Sequence, residues 1–284
     1  MLSSLDYFKN RTIVIGTQHG KEKVIAPWME RRLELICVVP DNFDTDQLGT
    51  FTGEVERKED AYSVLKKKCL MAMEMTGLDL GIASEGSFGP HSFIPFSYAD
   101  EELLLLIDKK NNLEIATRLL STDTNFNGKE VSDEEELLDF AEKASFPSHA
   151  LILRNSRGSN ERIIKGLMKE DRLLEAFREL KSQYGSVYVE TDMRASYNPS
   201  RMKVIDAAAE KLTDTILSQC PKCSMPGFRI TETISGLPCS ICKSPTRSIM
   251  SHLYQCSKCD YEREKRYPNN KTEEDPMYCD NCNP

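Results

Sequence analysis

Short apolar runs alternate with longer amphipathic stretches along this chain. Residues 11–16 form an apolar run of strand length, and residues 20–33 follow with helical spacing that sets Trp28 and Leu33 on one side. Residues 35–39 predict a second buried strand, closed by Pro40, Asp41 and Asn42. Residues 59–75 read as a helix with Ala61, Leu65, Cys69, Ala72 and Met73 on one face, ended by Gly77. Residues 80–83 and 102–108 read as strands, and Lys109–Asn112 is a tight turn from the second of these into residues 113–117, a hairpin. The second half continues with a helix at 133–143, a strand at 150–153, a helix at 161–180, a strand at 187–189 and a helix at 201–217. Such alternation predicts an α/β body, a mixed and partly parallel sheet covered by helices.

After residue 219 the pattern changes and cysteine takes over. Eight of the ten cysteines fall in four Cys-x-x-Cys pairs: Cys220/Cys223, Cys239/Cys242, Cys256/Cys259 and Cys279/Cys282. Two residues between thiols let both sulfurs face one ion, and two such knuckles complete a tetrahedral thiolate shell around zinc. Eight ligands suit two structural zinc ions. The expected organisation is therefore an α/β domain over 1–219 and a double zinc-ribbon-like module over 220–284. Sequential pairing, 220/223 with 239/242 and 256/259 with 279/282, closes the shortest ligand loops and is the favoured arrangement, with residues 228–234 forming the hairpin between knuckles. Cys37 and Cys69 sit among apolar residues and read as buried thiols.

Charge and hydropathy narrow the function classes. Residues 220–284 hold 9 Lys and Arg against 8 Asp and Glu, which leaves 28 against 37 in residues 1–219. Neither part is a basic patch, and two tetrathiolate zinc sites add further negative charge, which argues against tight nonspecific nucleic-acid binding. No apolar run approaches the roughly 18 residues of a membrane span. The N-terminus has neither a basic n-region nor an apolar h-region, so a cytoplasmic protein with reduced thiols is expected.

Candidate chemistry in the body lies in loops that follow strands, where an open α/β sheet places its ligands. The segment from Gly16 to Lys23 offers Thr17, His19 and Lys21 to an anion at a helix N-terminus. The segment from Ala83 to His91 carries Glu85 just after a buried strand, positioned to hold Mg²⁺ or polarise a water. Two further loops, 153–160 and 190–201, bring Arg154, Arg157, Arg194 and Arg201 to one rim if their strands are parallel neighbours, with Asp192 and Asn198 beside them. The bland reading of that last loop is a structural clamp between Asp192 and an arginine, with Asn198-Pro199-Ser200 starting a helix.

The string Glu190-Thr191-Asp192-Met193-Arg194-Ala195 with Asn198-Pro199 and Arg201, followed by the cysteine pairs and the terminal Cys282-Asn283-Pro284, resembles a bacterial family of uncharacterised proteins over nearly the whole chain. That resemblance implies no activity. A second, partial likeness over about the first 120 residues is to the inosine/xanthosine triphosphate pyrophosphatase fold. Gly16-Thr17-x-His19-x-Lys21 is similar to its phosphate turn, and Gly81-Ile82-Ala83-Ser84-Glu85-Gly86 to its acidic segment. The likeness implies a Mg²⁺ role for Glu85. The chain departs from that fold at His19, where it has Asn, in the position of Lys21, and in the cysteine module.

Three function classes follow. The first is a Mg²⁺-dependent hydrolase of a nucleotide or phosphate ester, with Glu85, Asp192 and Lys21 catalytic and Thr17, His19, Arg154, Arg157, Arg194, Asn198 and Arg201 binding ligand. The second is a non-enzymatic sensor of an anionic metabolite whose zinc module docks a protein partner. In the third, zinc knuckles grip a nucleic-acid strand, with Tyr254, Tyr261 and Tyr267 for stacking.

Overall fold

The computed structural model describes residues 3–41, 43, 60–91 and 93–284. Glu59, expected to open the second helix, and Asn42 of the predicted turn lie outside the described residues. The chain forms two compact units, Asn10–Thr213 and Met1–Lys9 together with Asp214–Pro284. Among the described residues no helix is long and apolar enough to cross a membrane.

The larger unit is mixed α/β and holds two sheets. In the first, β1 (Thr12–Gly16), β2 (Ile36–Val38), β3 (Leu80–Pro90), β4 (Tyr98–Asp108) and β5 (Leu113–Ser121) lie in the order β2-β1-β3-β4-β5. β1 pairs in parallel with both β2 and β3, while β3–β4 and β4–β5 are antiparallel. The parallel part needs crossovers, and α1 (Glu22–Leu33) and α2 (Ala61–Thr76) supply them. α1 buries Ile25, Met29 and Leu33, four residues apart, which is one helical stripe. Asp60 caps α2 by accepting from the Tyr62 and Ser63 amides, and Gly77 ends it at φ 68°. α2 packs Leu65, Cys69, Ala72 and Met73 against Val14, Ala83, Leu105 and Ile107 of the sheet. Burial pushes the thiols of Cys37 and Cys69 each up to about 12, so neither is a thiolate near neutral pH.

The second sheet has the order β6-β9-β7-β8, from β6 (Gly128–Val131), β7 (Leu151–Arg154), β8 (Ile163–Leu167) and β9 (Val187–Thr191). All its pairings are antiparallel. One face carries Val131, Leu151, Leu153, Val187 and Val189, and α3 (Glu134–Lys143) and α4 (Glu170–Tyr184) cover it with Leu137, Phe140, Leu173, Phe177 and Leu180. The final helix, α5 (Pro199–Leu217), is joined to α1 by a 2.8 Å hydrogen bond from Trp28 Nε1 to Asp206 Oδ1.

Within this unit four expectations change. The second strand, expected to be buried, is β2 at the sheet edge, with Ile36 exposed and Cys37 and Val38 half-buried. The segment 83–91, read as a loop, continues β3 to Pro90, paired residue by residue with β4. The helix expected over 161–180 is β8 followed by α4: two adjacent isoleucines favour strand, and Gly166 at φ 69° cannot sit in a helix. The strands at 150–153 and 187–189 are neighbours but antiparallel, because β7 hairpins onto β8 and does not lead into a helix.

The smaller unit holds a three-stranded antiparallel sheet of β10 (Arg229–Ser235), β11 (Ile249–Gln255) and β12 (Glu262–Arg266), in that order. Residues 228–234 are therefore not a hairpin by themselves; they lie almost wholly in one strand of a hairpin whose other strand is β11. The Ser4 hydroxyl donates to the Leu217 carbonyl at 3.0 Å, fastening the N-terminal segment of this unit.

Candidate metal centres and anion pocket

The eight cysteines gather into two clusters: Cys220, Cys223, Cys256 and Cys259, and Cys239, Cys242, Cys279 and Cys282. Within each, the four sulfurs lie within 4.8 Å of one another. The Sγ–Sγ distances are 3.7 Å for Cys220–Cys259 and 3.6 Å for Cys223–Cys256 in the first cluster, with 3.9 Å for Cys239–Cys282 and 3.5 Å for Cys242–Cys279 in the second. A tetrahedral shell at a Zn–S distance of about 2.3 Å sets its sulfurs about 3.8 Å apart, so both clusters fit such an ion.

Backbone geometry supports three of the four knuckles. Ser224, Lys243 and Asp260, each directly after the second cysteine of a pair, take the left-handed conformation that turns the chain around an ion. The amides of Lys222 and Lys258 donate to Cys220 Sγ and Cys256 Sγ at 3.4 Å.

The pairing is interleaved, first knuckle with third and second with fourth, and this overturns the sequential expectation. Strand direction is the cause. β10 and β11 are antiparallel, with Arg229 opposite Gln255 and Ser235 opposite Ile249. A seven-residue strand spans about 20 Å, so consecutive knuckles fall at opposite ends of the sheet and alternate ones at the same end. Closing the shortest loop would need consecutive knuckles to meet across that length.

Tyr254 and Tyr261, expected as stacking platforms, are packed against Phe228, with ring centroids 5.7 and 6.0 Å from it, and Arg263 lies over Phe228 and Tyr254. Together with Cys220 and Cys256 these rings form the core around the first cluster.

In the larger unit, a pocket of about 380 Å³ is lined by Arg154, Arg157 and Arg194, by Glu190 and Asp192, and by the aromatic side chains of Phe88, Tyr98, Phe126 and Tyr188. Alternation builds it: Tyr188, Glu190 and Asp192 follow at every second residue from β9, beside Ile152 and Arg154 of β7, on the face away from α3 and α4. The arginines thus converge on a sheet face, not on the strand-end rim that parallel neighbours would form. Arg154 Nε is held by Glu190 Oε1 at 2.7 Å, and its Nη1 by the Ser159 carbonyl at 3.0 Å. Arg157 is exposed at the mouth, with no ion pair among the described residues. Phe126 stacks on Phe88 and meets Tyr98 edge-on.

Asp192 is fully buried and saturated. It accepts from Arg194 Nη2 at 2.6 Å, from Arg194 Nε at 3.0 Å, and from the Arg194 and Gly166 amides at 3.1 Å. The Arg194 guanidinium lies 4.3 Å from the Tyr197 ring centre. Asn198 Oδ1 accepts from the Arg201 amide at 3.0 Å in the first turn of α5, and its Nδ2 reaches Asn125 Oδ1 at 2.9 Å. These are the contacts of the structural clamp.

Arg201 connects this clamp to a buried cluster of charge. Its Nη1 donates to the Met193 carbonyl at 2.5 Å and its Nε to Glu102 Oε1 at 2.7 Å, the ion pair being wholly buried. Its guanidinium carbon lies 5.0 Å from the Phe88 ring centre, on the lining of the pocket. Only a residue without a side chain fits opposite: a Cβ on Gly86 would come within 2.4 Å of Arg201 Nη2 and 2.5 Å of Glu102 Oε1. Lys21 is buried and donates to Ser84 Oγ at 3.1 Å; burial first, then the positive charge of Arg201, lowers its ammonium to about 8. Asp100, buried as well, has its carboxyl raised to about 8, mainly by desolvation and next by Glu102, against the opposing pull of Arg201 and Lys21.

The remaining predicted residues fall around these two groups. Glu85 meets Lys68 Nζ of α2 in a buried ion pair, so it and Asp192 each have a cation of their own. Thr17 is buried and its hydroxyl donates to the Gln18 carbonyl; His19 takes φ 63° in the turn before α1. Neither Thr17, His19, Lys21 nor Glu85 lines the arginine pocket. Asp100 and Glu102 escape a search confined to loops. Nothing in the run Asp100-Glu101-Glu102 marks two of its three acids as inward; the pairing of β4 with β3 and β5 does.

Comparison with known proteins adds little about chemistry. No curated protein matches the chain. Among solved structures, the competence-damaged protein (CinA) superfamily protein from Enterobacter cloacae is similar over 41% of this chain and 71% of its own, at 15% identity and a TM-score of 0.23, too low to support a functional argument. Residues 68–284, spanning the cysteine clusters, Asp100 and Glu102 of β4 and the arginine pocket, match the family described as Domain of unknown function (DUF6671), and the chain belongs to that family.

Proposed function

We propose that the chain is a zinc protein whose two ions are structural, and that its α/β body binds a small anionic ligand with a planar ring, a nucleotide being the leading class. Four cysteines at each cluster leave no open coordination position for a substrate, which is the mark of a structural site. The observation that carries the ligand reading is the pocket itself, where three arginines and four aromatic rings surround one space. Guanidinium groups recognise phosphate or carboxylate, and rings of this kind sandwich a base. Binding is favoured over hydrolysis by Glu85 and Asp192, since Lys68 and Arg194 engage both carboxylates. A protein partner for the zinc unit is supported by exposed Ile241, Met277 and Tyr278, all flanking the second cluster.

Arg157→Ala tests the pocket with least disturbance, because the side chain is exposed. The expected outcome in calorimetric titration with nucleoside mono-, di- and triphosphates is binding by the parent protein and a loss of roughly tenfold or more in the variant, at unchanged melting temperature. Failure of every nucleotide to bind the parent protein would end the nucleotide reading.

A further inference from the structure

Among the described residues of the larger unit, three buried carboxylate oxygens have no hydrogen-bond partner: both oxygens of Asp100 and Oε2 of Glu102. The two residues stand two apart on β4, so their side chains leave the strand on the same face. Both are fully buried. Unmatched buried acceptors of this kind point to an occupant that supplies positive charge or donors.

We propose that Asp100 and Glu102 hold one divalent cation of the magnesium or manganese class. Arg201 puts its Nε on the other oxygen of Glu102 and its Nη1 on the Met193 carbonyl, Lys21 puts its Nζ on Ser84 Oγ, and Arg201 Nη2 donates no hydrogen bond to any of the three orphaned oxygens. A water offers two hydrogens but no charge, whereas a divalent ion answers both the carboxyl of Asp100, which has no ion pair among the described residues, and the oxygen of Glu102 that Arg201 does not engage. One or two carboxylates are the usual protein share of a magnesium site, which fills its other positions with water or ligand oxygens. Hard oxygen donors also separate this site from the thiolate clusters, which select softer ions. The site does not depend on the anion pocket, although Arg201 touches both Glu102 and Phe88.

The test is Mn²⁺ titration of the full-length, zinc-loaded protein, followed by electron paramagnetic resonance. The expected result is one Mn²⁺ per chain displaceable by Mg²⁺, and loss of that ion in Asp100→Asn at unchanged zinc content. Absence of bound Mn²⁺ overturns the proposal whatever the variants do. So does equal binding by Asp100→Asn, or an infrared carboxylic-acid band of Asp100 that persists under saturating Mn²⁺, which would mean a proton shared with Glu102 instead of an ion. Should Asp100→Asn fail to fold, Glu102→Gln serves as the second variant with the same expected loss. Because the metal alone is the probe, a negative result here leaves nucleotide binding to be judged separately.

Discussion

Asp100 is where burial and charge conflict most openly, and the conflict has a sign that experiment can read. With divalent ions withheld, the unfolded chain ionises this carboxyl near its ordinary value of 3.8, while the folded protein holds the proton to about 8. Between those limits the folded state binds more protons, so the contribution of Asp100 to stability is present at the acid end and is lost as pH rises to 8. Urea unfolding of zinc-loaded protein between about pH 6 and pH 8 should therefore show Asp100→Asn gaining on the parent chain as pH increases. Parallel curves would mean that the carboxylate is ionised and compensated in the fold. Lys21 acts in the adjoining window: lowered to about 8 from 10.5, it makes the unfolded chain the better proton binder above pH 8, so its contribution rises with pH there. At this scale the sequence is uneven in what it discloses. A cysteine pair announces itself by spacing, since few other constraints put thiols two residues apart. A buried carboxylate is legible only once its strand is known to alternate inward at that position, and the pleat of β4 was not anchored before residue 102.

Elements explain both the successes and the misses. The strands β1 and β2, the helices α1, α2, α3 and α5, and the β4–β5 hairpin are anticipated because apolar spacing and the turn at Lys109–Asn112 are local signals, although the burial expected of β2 is not found. β3 beyond Ala83 is not, since Ser84, Glu85, Gly86 and Ser87 carry polar or absent side chains; their strand is held by pairing with β4, a long-range contact. Knuckle pairing is likewise set by strand direction and not by loop length. This makes the interleaving testable by counting metal. Native mass spectrometry of Cys223→Ser with Cys256→Ser should find one zinc lost, because both substitutions fall in the same cluster. Combining Cys223→Ser with Cys239→Ser should lose both ions. Sequential pairing requires the reverse, since Cys223 and Cys239 would then share an ion, so the two double variants discriminate without a structure.

For the whole molecule, the two compact units rest on different sources of stability. The larger buries long apolar rows from both its sheets against helices. The smaller does not: every residue of β12 is exposed, β10 has no buried residue, and its first cluster's core is Cys220, Cys256 and Phe228 with Tyr254 and Tyr261 at the edge. A unit this poor in apolar burial depends on its crosslinks, and for four thiolates meeting at a point the crosslink is the metal. The composition of residues 220–284 already carries this message, because few large apolar side chains accompany so many cysteines. Stripping the full-length chain with a strong chelator under reducing conditions should therefore release amide protection in β10, β11 and β12 while β1, β3 and β4 keep theirs. Hydrogen exchange read by mass spectrometry resolves the two regions in one sample. Uniform loss across both would make zinc a requirement for the α/β body as well, and protection retained in β10 and β11 after complete metal removal would show that the hairpin and its aromatic edge suffice without the ion.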